Sequence, residues 1–265
     1  MAERPHAPAD PRCAAPRAVP GRRGRGAVRV PGPARAQGGG VIVLRVLEVP
    51  DDDGGPPAAA RRSSPLDAAP RSALLDAARR SALLVAVLCE AGVDVGEPVA
   101  LVRRCRVCGS TEHGKPEVAA ALAVGVHVSL AHTRRRLVAA AARGPVGVDV
   151  EDVAAVAAHP VADVLLSDAE RAAGHPLDAE SLTRTWVRKE ALLKATGHGL
   201  HVPPSAVTLS LPGDGEPRLL GWDGPGVAPV PGAWTEERSD GLGLPASWVC
   251  AVALRPTRQA MHPAA

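Results

Sequence analysis

Asp149 and Glu151 stand two residues apart in the run Gly147-Val148-Asp149-Val150-Glu151. The alternation predicts a strand that turns both carboxylates to one face and both valines to the other. Two carboxylates side by side repel unless a cation or a proton lies between them. Mg²⁺, a hard ion that keeps several waters, suits such a pair. Taken alone, the pattern fits an ordinary strand with a solvated polar face better than it fits a metal site. A second constellation changes that balance: Trp186-Val187-Arg188-Lys189-Glu190-Ala191-Leu192-Leu193-Lys194 reads as helix, and there Trp186, Glu190 and Lys194 recur every four residues on one face. The tryptophan predicts that this face meets protein rather than bulk water. Glu190 can then supply a third metal carboxylate or a base, and Lys194 can neutralise a phosphate. A solvated Glu-to-Lys pair is the plain alternative. The Gly197-His198-Gly199 that follows lets backbone approach a ligand closely.

The lysines are themselves a signal. Of 31 Lys and Arg residues, only Lys115, Lys189 and Lys194 are lysine, and the other 28 are arginine. Phe, Tyr and Asn are absent and Ile42 is the one isoleucine, a bias against residues with AT-rich codons. A lysine kept under that bias marks a place where a compact ammonium is not interchangeable with a guanidinium. Lys115 lies in His113-Gly114-Lys115-Pro116, which reads as a turn suited to a phosphate or nucleotide. Val128-Ser129-Leu130-Ala131-His132-Thr133 ends a β-like run on His132, which can donate to a phosphate; standing alone it reads better as a structural histidine. Cys105-x₂-Cys108 with His113 nearby invites a zinc reading, but no clear fourth ligand and no second Cys pair stand in the sequence. A simple turn with buried thiols is the stronger reading there. Phosphate-binding and dinucleotide-binding glycine loops and a nucleophile elbow are absent.

Several elements must position these residues. Val41–Leu47 predicts a strand, 72–91 a helix closed by Gly92, and the runs 99–102, 126–130, 137–141 and 146–150 further strands. Ser167 and Glu170 form a capping-box pattern for a short helix ending at Gly174. Asp178 caps the next helix, 179–196, which Gly197 stops; 206–211 and 248–254 are the last strand candidates. Helices and strands mix without βαβ regularity, so the fold class expected is α+β. Residues 1–40, rich in Arg, Pro, Ala and Gly, read as a disordered tail after which an N-terminal lobe (41–145), a C-terminal lobe (146–256) and a short tail (257–265) follow. The first tail holds eight arginines against Glu3 and Asp10, so at a total net charge of +3 the remainder is mildly acidic, which argues against nucleic acid as a partner. Five cysteines, an odd number, do not suggest a secreted disulfide framework, and no run suits a signal peptide or a membrane span. A cytoplasmic protein is the expectation.

In this order HGKP (113–116), SLAHT (129–133), GVDVE (147–151) and WVRKEALLKATGHGL (186–200) resemble the 4′-phosphopantetheinyl transferases, over about residues 65–255. The length is similar to their large two-lobed class, and the CxxCG run before HGKP to an actinobacterial branch. The resemblance implies a monomer of two similar α+β lobes in pseudo-twofold arrangement with the active site in the cleft between them. It implies transfer of the phosphopantetheine arm of coenzyme A to a serine of apo acyl or peptidyl carrier proteins, with 3′,5′-ADP as the other product. Asp149, Glu151 and Glu190 would hold Mg²⁺, Glu190 would act as base, and Lys194 would stabilise charge on the breaking pyrophosphate. Lys115 and Pro116 would line the adenine and 3′-phosphate end, with His132 on a phosphate and Lys189 and Arg79 as further cofactor contacts. Two positions depart from the pattern. Ala131 stands where a serine is usual, and Leu83 where a second arginine usually follows Arg79.

Overall fold

A computed structural model describes residues 42–49, 69–133, 135–173, 177–226, 228–229, 233–238 and 242–255. The tails at 1–40 and 257–265 and the stop at Gly174 lie outside the described residues. The chain is α+β, with helices and short antiparallel sheets interleaved.

The first half runs β1 (Ile42–Glu48), α1 (Ala69–Glu90), a hairpin of β2 (Leu101–Arg104) and β3 (Lys115–Val118), α2 (Ala119–Ala123), β4 (Val126–His132) and β5 (Arg136–Arg143). The second half runs β6 (Val146–Asp152), short helices α3 (Val153–Ala157), α4 (Ala162–Leu165) and α5 (Asp168–Ala172), then α6 (Ala179–Thr196), a hairpin of β7 (Val207–Leu209) and β8 (Leu219–Trp222), β9 (Ala233–Arg238) and β10 (Trp248–Leu254). Each half makes a three-stranded antiparallel sheet with its last strand in the middle: β1-β5-β4 and β6-β10-β9.

Strand alternation explains how these sheets pack. Ile42, Leu44, Val138 and Ala140 from one sheet share a core with Val146, Val148, Val150, Cys250 and Val252 from the other. The alternate residues face outward onto helices. Val43, Val128, Ala139 and Ala141 meet Leu84, Val87 and Leu88 of α1, while Val249, Ala251 and Ala253 meet Val187, Ala191 and Leu192 of α6. Antiparallel strands usually keep one face wet; here helices cover the second faces, so β10 is buried along its whole length. Leu83 belongs to the α1 core and Ala131 to the core between the sheets. Neither departure from the resemblance therefore stands on an open ligand-facing surface.

The predicted strands and helices appear with shifted ends. The capping box forms as expected, with Ser167 Oγ accepting from Glu170 N–H at 3.2 Å and the Glu170 carboxylate accepting from Ser167 N–H at 2.8 Å. Asp178 caps α6 by accepting from Ser181 N–H at 2.8 Å, and Gly197 ends that helix at φ 78°. The reading of HGKP as a turn needs correction. Only its first half turns, because Lys115 and Pro116 pair with Arg104 and Arg103 as β3. Among the described residues no helix is long and apolar enough to cross a membrane.

Among the described glycines, Gly147 leaves the least room for a side chain. A Cβ there would sit 1.9 Å from the Ala191 carbonyl oxygen and 2.4 Å from the Ala195 nitrogen, both backbone atoms of α6. Since no side chain can rotate away, Gly147→Ala must push strand and helix apart. The expected loss is about 3 kcal/mol or more, at the upper end of overpacking effects, checked by urea unfolding. A variant as stable as wild type would contradict this packing.

Candidate functional site

The contact at Gly147 decides what faces α6. Residues 147, 149 and 151 share one side of β6, opposite Val146, Val148 and Val150 in the core between the sheets. Their β10 neighbours on that side are small: Ala253 opposite Gly147 and Ala251 opposite Asp149. Asp149 and Glu151 therefore meet the α6 face that carries Glu190 and Lys194. Both Asp149 and Glu190 are only 6% exposed.

Lys194 Nζ donates to Asp149 Oδ1 at 2.6 Å and to the Val148 carbonyl at 3.2 Å. The other carboxylate oxygen, Asp149 Oδ2, is buried without a hydrogen-bond partner among the described residues. Such an orphan is uncommon in a folded protein and calls for an explanation. Burial pushes the Asp149 carboxyl up, opposed by Lys194 and weakly by His132, which places His132 near this site from the exposed end of β4. Burial, with Asp149 close by, pushes both Glu151 and Glu190 up to about 7. The three carboxylates are neighbours but do not converge on a point, since among the described residues no group that includes them brings its ligand atoms within 4.8 Å of one another. Lys194 already occupies one oxygen of Asp149.

The donor set fits a hard divalent cation: three carboxylates, one with an unused buried oxygen and two driven toward protonation by crowding. A pH effect follows for the metal-free protein. The folded state holds protons on Glu151 and Glu190 up to about pH 7, whereas the unfolded chain releases them near 4.3. The folded state thus binds more protons between those values, so their contribution to stability falls as pH rises through that window. Thermal melting in EDTA from pH 4.5 to 8 is expected to show this decline in wild type and a flatter profile in Glu151→Gln/Glu190→Gln. Parallel profiles would contradict it.

One to two turns along α6 lies a cavity of about 420 Å³, within the range of small-ligand sites. Its walls come from both halves: Arg103, Arg104, Arg106, Lys115 and Glu117 from the first, and Ala195, Thr196 and Gly197 from the end of α6. Lys115 Nζ is 3.1 Å from Glu117 Oε1, and Glu117 also meets His127 Nδ1 and Val128 N–H, each at 3.2 Å. Burial lowers the Lys115 pKa and Glu117 counters it, while Arg106 and Arg255 press it down further. With its one acidic wall already shared among three donors, the cavity suits an anion. Pro116 lies in β3 beside Lys115.

Two expected contacts sit elsewhere. Lys189 is fully buried, with its ammonium 2.6 Å from Glu170 Oε2 and 2.7 Å from the Leu165 carbonyl, so it braces α6 against the preceding helices rather than reaching a ligand. One residue before Glu190 on α6, it points to a different side of the helix. Arg79 pairs with Asp76 one turn back on α1 at 3.3 Å and is not among the cavity walls. Conversely, no motif or spacing singled out Arg103, Arg104, Arg106 or Arg255. Among 28 arginines a single arginine carries little information, and only their position beside the CxxC turn and after β10 could have marked them.

No curated protein matches the chain. Residues 145–253 match the family model of the 4′-phosphopantetheinyl transferase superfamily. That stretch contains Asp149, Glu151, Glu190 and Lys194, and so the carboxylate and lysine cluster lies within the part of the chain that is similar to the 4′-phosphopantetheinyl transferase superfamily.

Proposed function

We propose that this protein is a holo-carrier-protein synthase. It moves the 4′-phosphopantetheine arm of coenzyme A to a serine of apo acyl or peptidyl carrier proteins and releases 3′,5′-ADP. One observation carries the reading: within the matched domain, three crowded carboxylates and Lys194 stand beside a cation-lined cavity on the same helix. The matching strand orders of the two halves support two similar lobes in pseudo-twofold arrangement, and a monomer then contains the whole site.

In the reaction the serine Oγ attacks the phosphorus that bears the pantetheine, and the bond from that phosphorus to the bridging oxygen breaks. The leaving group departs as 3′,5′-ADP, and the serine proton passes to Glu190. A positioned carboxylate beside the attacking hydroxyl is the kind of group that accepts such a proton. Lys194 places its ammonium against the charge that gathers on the pyrophosphate as it breaks, the kind of positioned charge on which phosphoryl-type transfer depends. Asp149, Glu151 and Glu190 would hold Mg²⁺, which when bound supplies further neutralisation of the pyrophosphate. His132 serves the same anion from the end of β4. Lys115, with Pro116 beside it, meets the 3′-phosphate end of coenzyme A.

The last assignment separates this reading from other magnesium-dependent phosphate chemistry. Lys115→Ala is expected to weaken 3′,5′-ADP binding about tenfold or more, the range for a hydrogen bond to a charged group, while changing 5′-ADP binding little. Calorimetric titration of both nucleotides measures it. Equal loss for both would contradict the placement of the 3′-phosphate.

A further inference from the structure

The loop joining β2 to β3 gathers three soft-metal ligands that phosphopantetheine transfer does not use. After Cys105 the chain turns back through Cys108 and Gly109, with Gly109 N–H donating to the Cys105 carbonyl at 2.9 Å and Cys105 N–H to the Ser110 carbonyl at 2.8 Å. The turn needs Gly109 at φ 73°. Gly114 then lets the chain pass so close that a Cβ there would strike the Arg104 and Cys105 backbone at 2.6 Å. These constraints bring His113 to the cysteines. The Sγ atoms of Cys105 and Cys108 and a ring nitrogen of His113 all lie within 4.8 Å of one another, and Cys108 Sγ is 3.4 Å from His113 Nε2. Zn–S and Zn–N bonds of about 2.3 and 2.0–2.1 Å put two donors on a tetrahedral ion about 3.5 Å apart.

The sequence offered no clear fourth ligand, but the fold brings one candidate near the cluster from the other half of the chain. His201, in the 3₁₀ turn Gly199–His201 just beyond α6, has its ring 6.0 Å from that of His113 between centroids. It is exposed, so its ring can turn toward the cluster without disturbing the core.

We propose that Cys105, Cys108, His113 and His201 bind a structural Zn²⁺. The ion ties the loop between β2 and β3 to the segment after α6. Arg104 and Lys115 flank the first of these, Arg106 lies within it, and Gly197 precedes the second; all four line the cavity. The metal therefore fixes the cavity's edge across the two halves. With four protein ligands it leaves no open position for a substrate.

Protein purified without chelator or affinity metal is expected to contain one zinc per chain by plasma mass spectrometry. Exchange into Co²⁺ should give a thiolate-to-cobalt charge-transfer band with the d–d bands of a tetrahedral ion. Cys105→Ser/Cys108→Ser should abolish the charge-transfer band. His201→Ala should keep that band, change the d–d spectrum and weaken zinc more than about tenfold in chelator competition. Folded wild-type protein that takes up neither zinc nor cobalt at stoichiometric level overturns the site, whatever the variants do. An unaltered cobalt spectrum in His201→Ala overturns the assignment of the fourth ligand.

Discussion

Glu190→Ala is expected to lower the rate of carrier-protein modification by about 10²–10⁴-fold, the span attributed to a positioned proton acceptor. The residue is 6% exposed beside Asp149 and Lys194, so its removal also strips one carboxylate from the proposed cation site. Glu190→Gln separates these roles: it keeps the volume and one oxygen but cannot take the proton. Both variants should therefore be slow, with the amide retaining more coenzyme A affinity than the alanine. Lys194→Met should cost about 10²–10³-fold through lost charge stabilisation. It also leaves Asp149 without the ammonium that contacts it at 2.6 Å. A Glu190 or Lys194 variant that transfers at the wild-type rate would remove that residue from the mechanism.

The second large effect is on stability. Lys189→Met is expected to destabilise the protein by about 3–5 kcal/mol, because it leaves a buried carboxylate without its cation. Glu170 is a junction: its oxygens accept from Lys189 Nζ at 2.6 Å, Ser167 N–H at 2.8 Å and Leu209 N–H at 2.8 Å, tying α6, the start of α5 and β7 together. Glu170→Gln should cost a similar amount. The double variant should lose much less than the two singles together, since neither charge is then stranded. Urea unfolding of the four proteins gives the coupling. If Lys189 met coenzyme A instead, its variant would raise KM for coenzyme A at unchanged stability, and that result would contradict the buried pair.

Much of the site could be read from spacing alone. A two-residue period placed Asp149 and Glu151 on one face and a four-residue period placed Glu190 and Lys194 on another, and those two faces meet in the fold. The capping box at Ser167 and the stop at Gly197 were legible because each rests on local backbone chemistry. The rest depended on partners distant in sequence. Lys189 stood out for its rarity and the resemblance implied a cofactor contact, but its partner in the fold is Glu170, nineteen residues earlier. The carboxylate-facing side of β6 is fixed by Gly147 against α6, a backbone contact that no side-chain pattern reports. The arginines around the cavity were hidden by their abundance. His201 gains meaning only when the turn after α6 comes beside the loop between β2 and β3.

The most direct test of the central claim is intact-protein mass spectrometry of an apo carrier protein incubated with this protein, coenzyme A and Mg²⁺. One added phosphopantetheine group, absent with EDTA and with Glu190→Ala, is the predicted result. A folded protein that binds coenzyme A yet modifies none of several apo carrier proteins would contradict the assignment of transfer to this site.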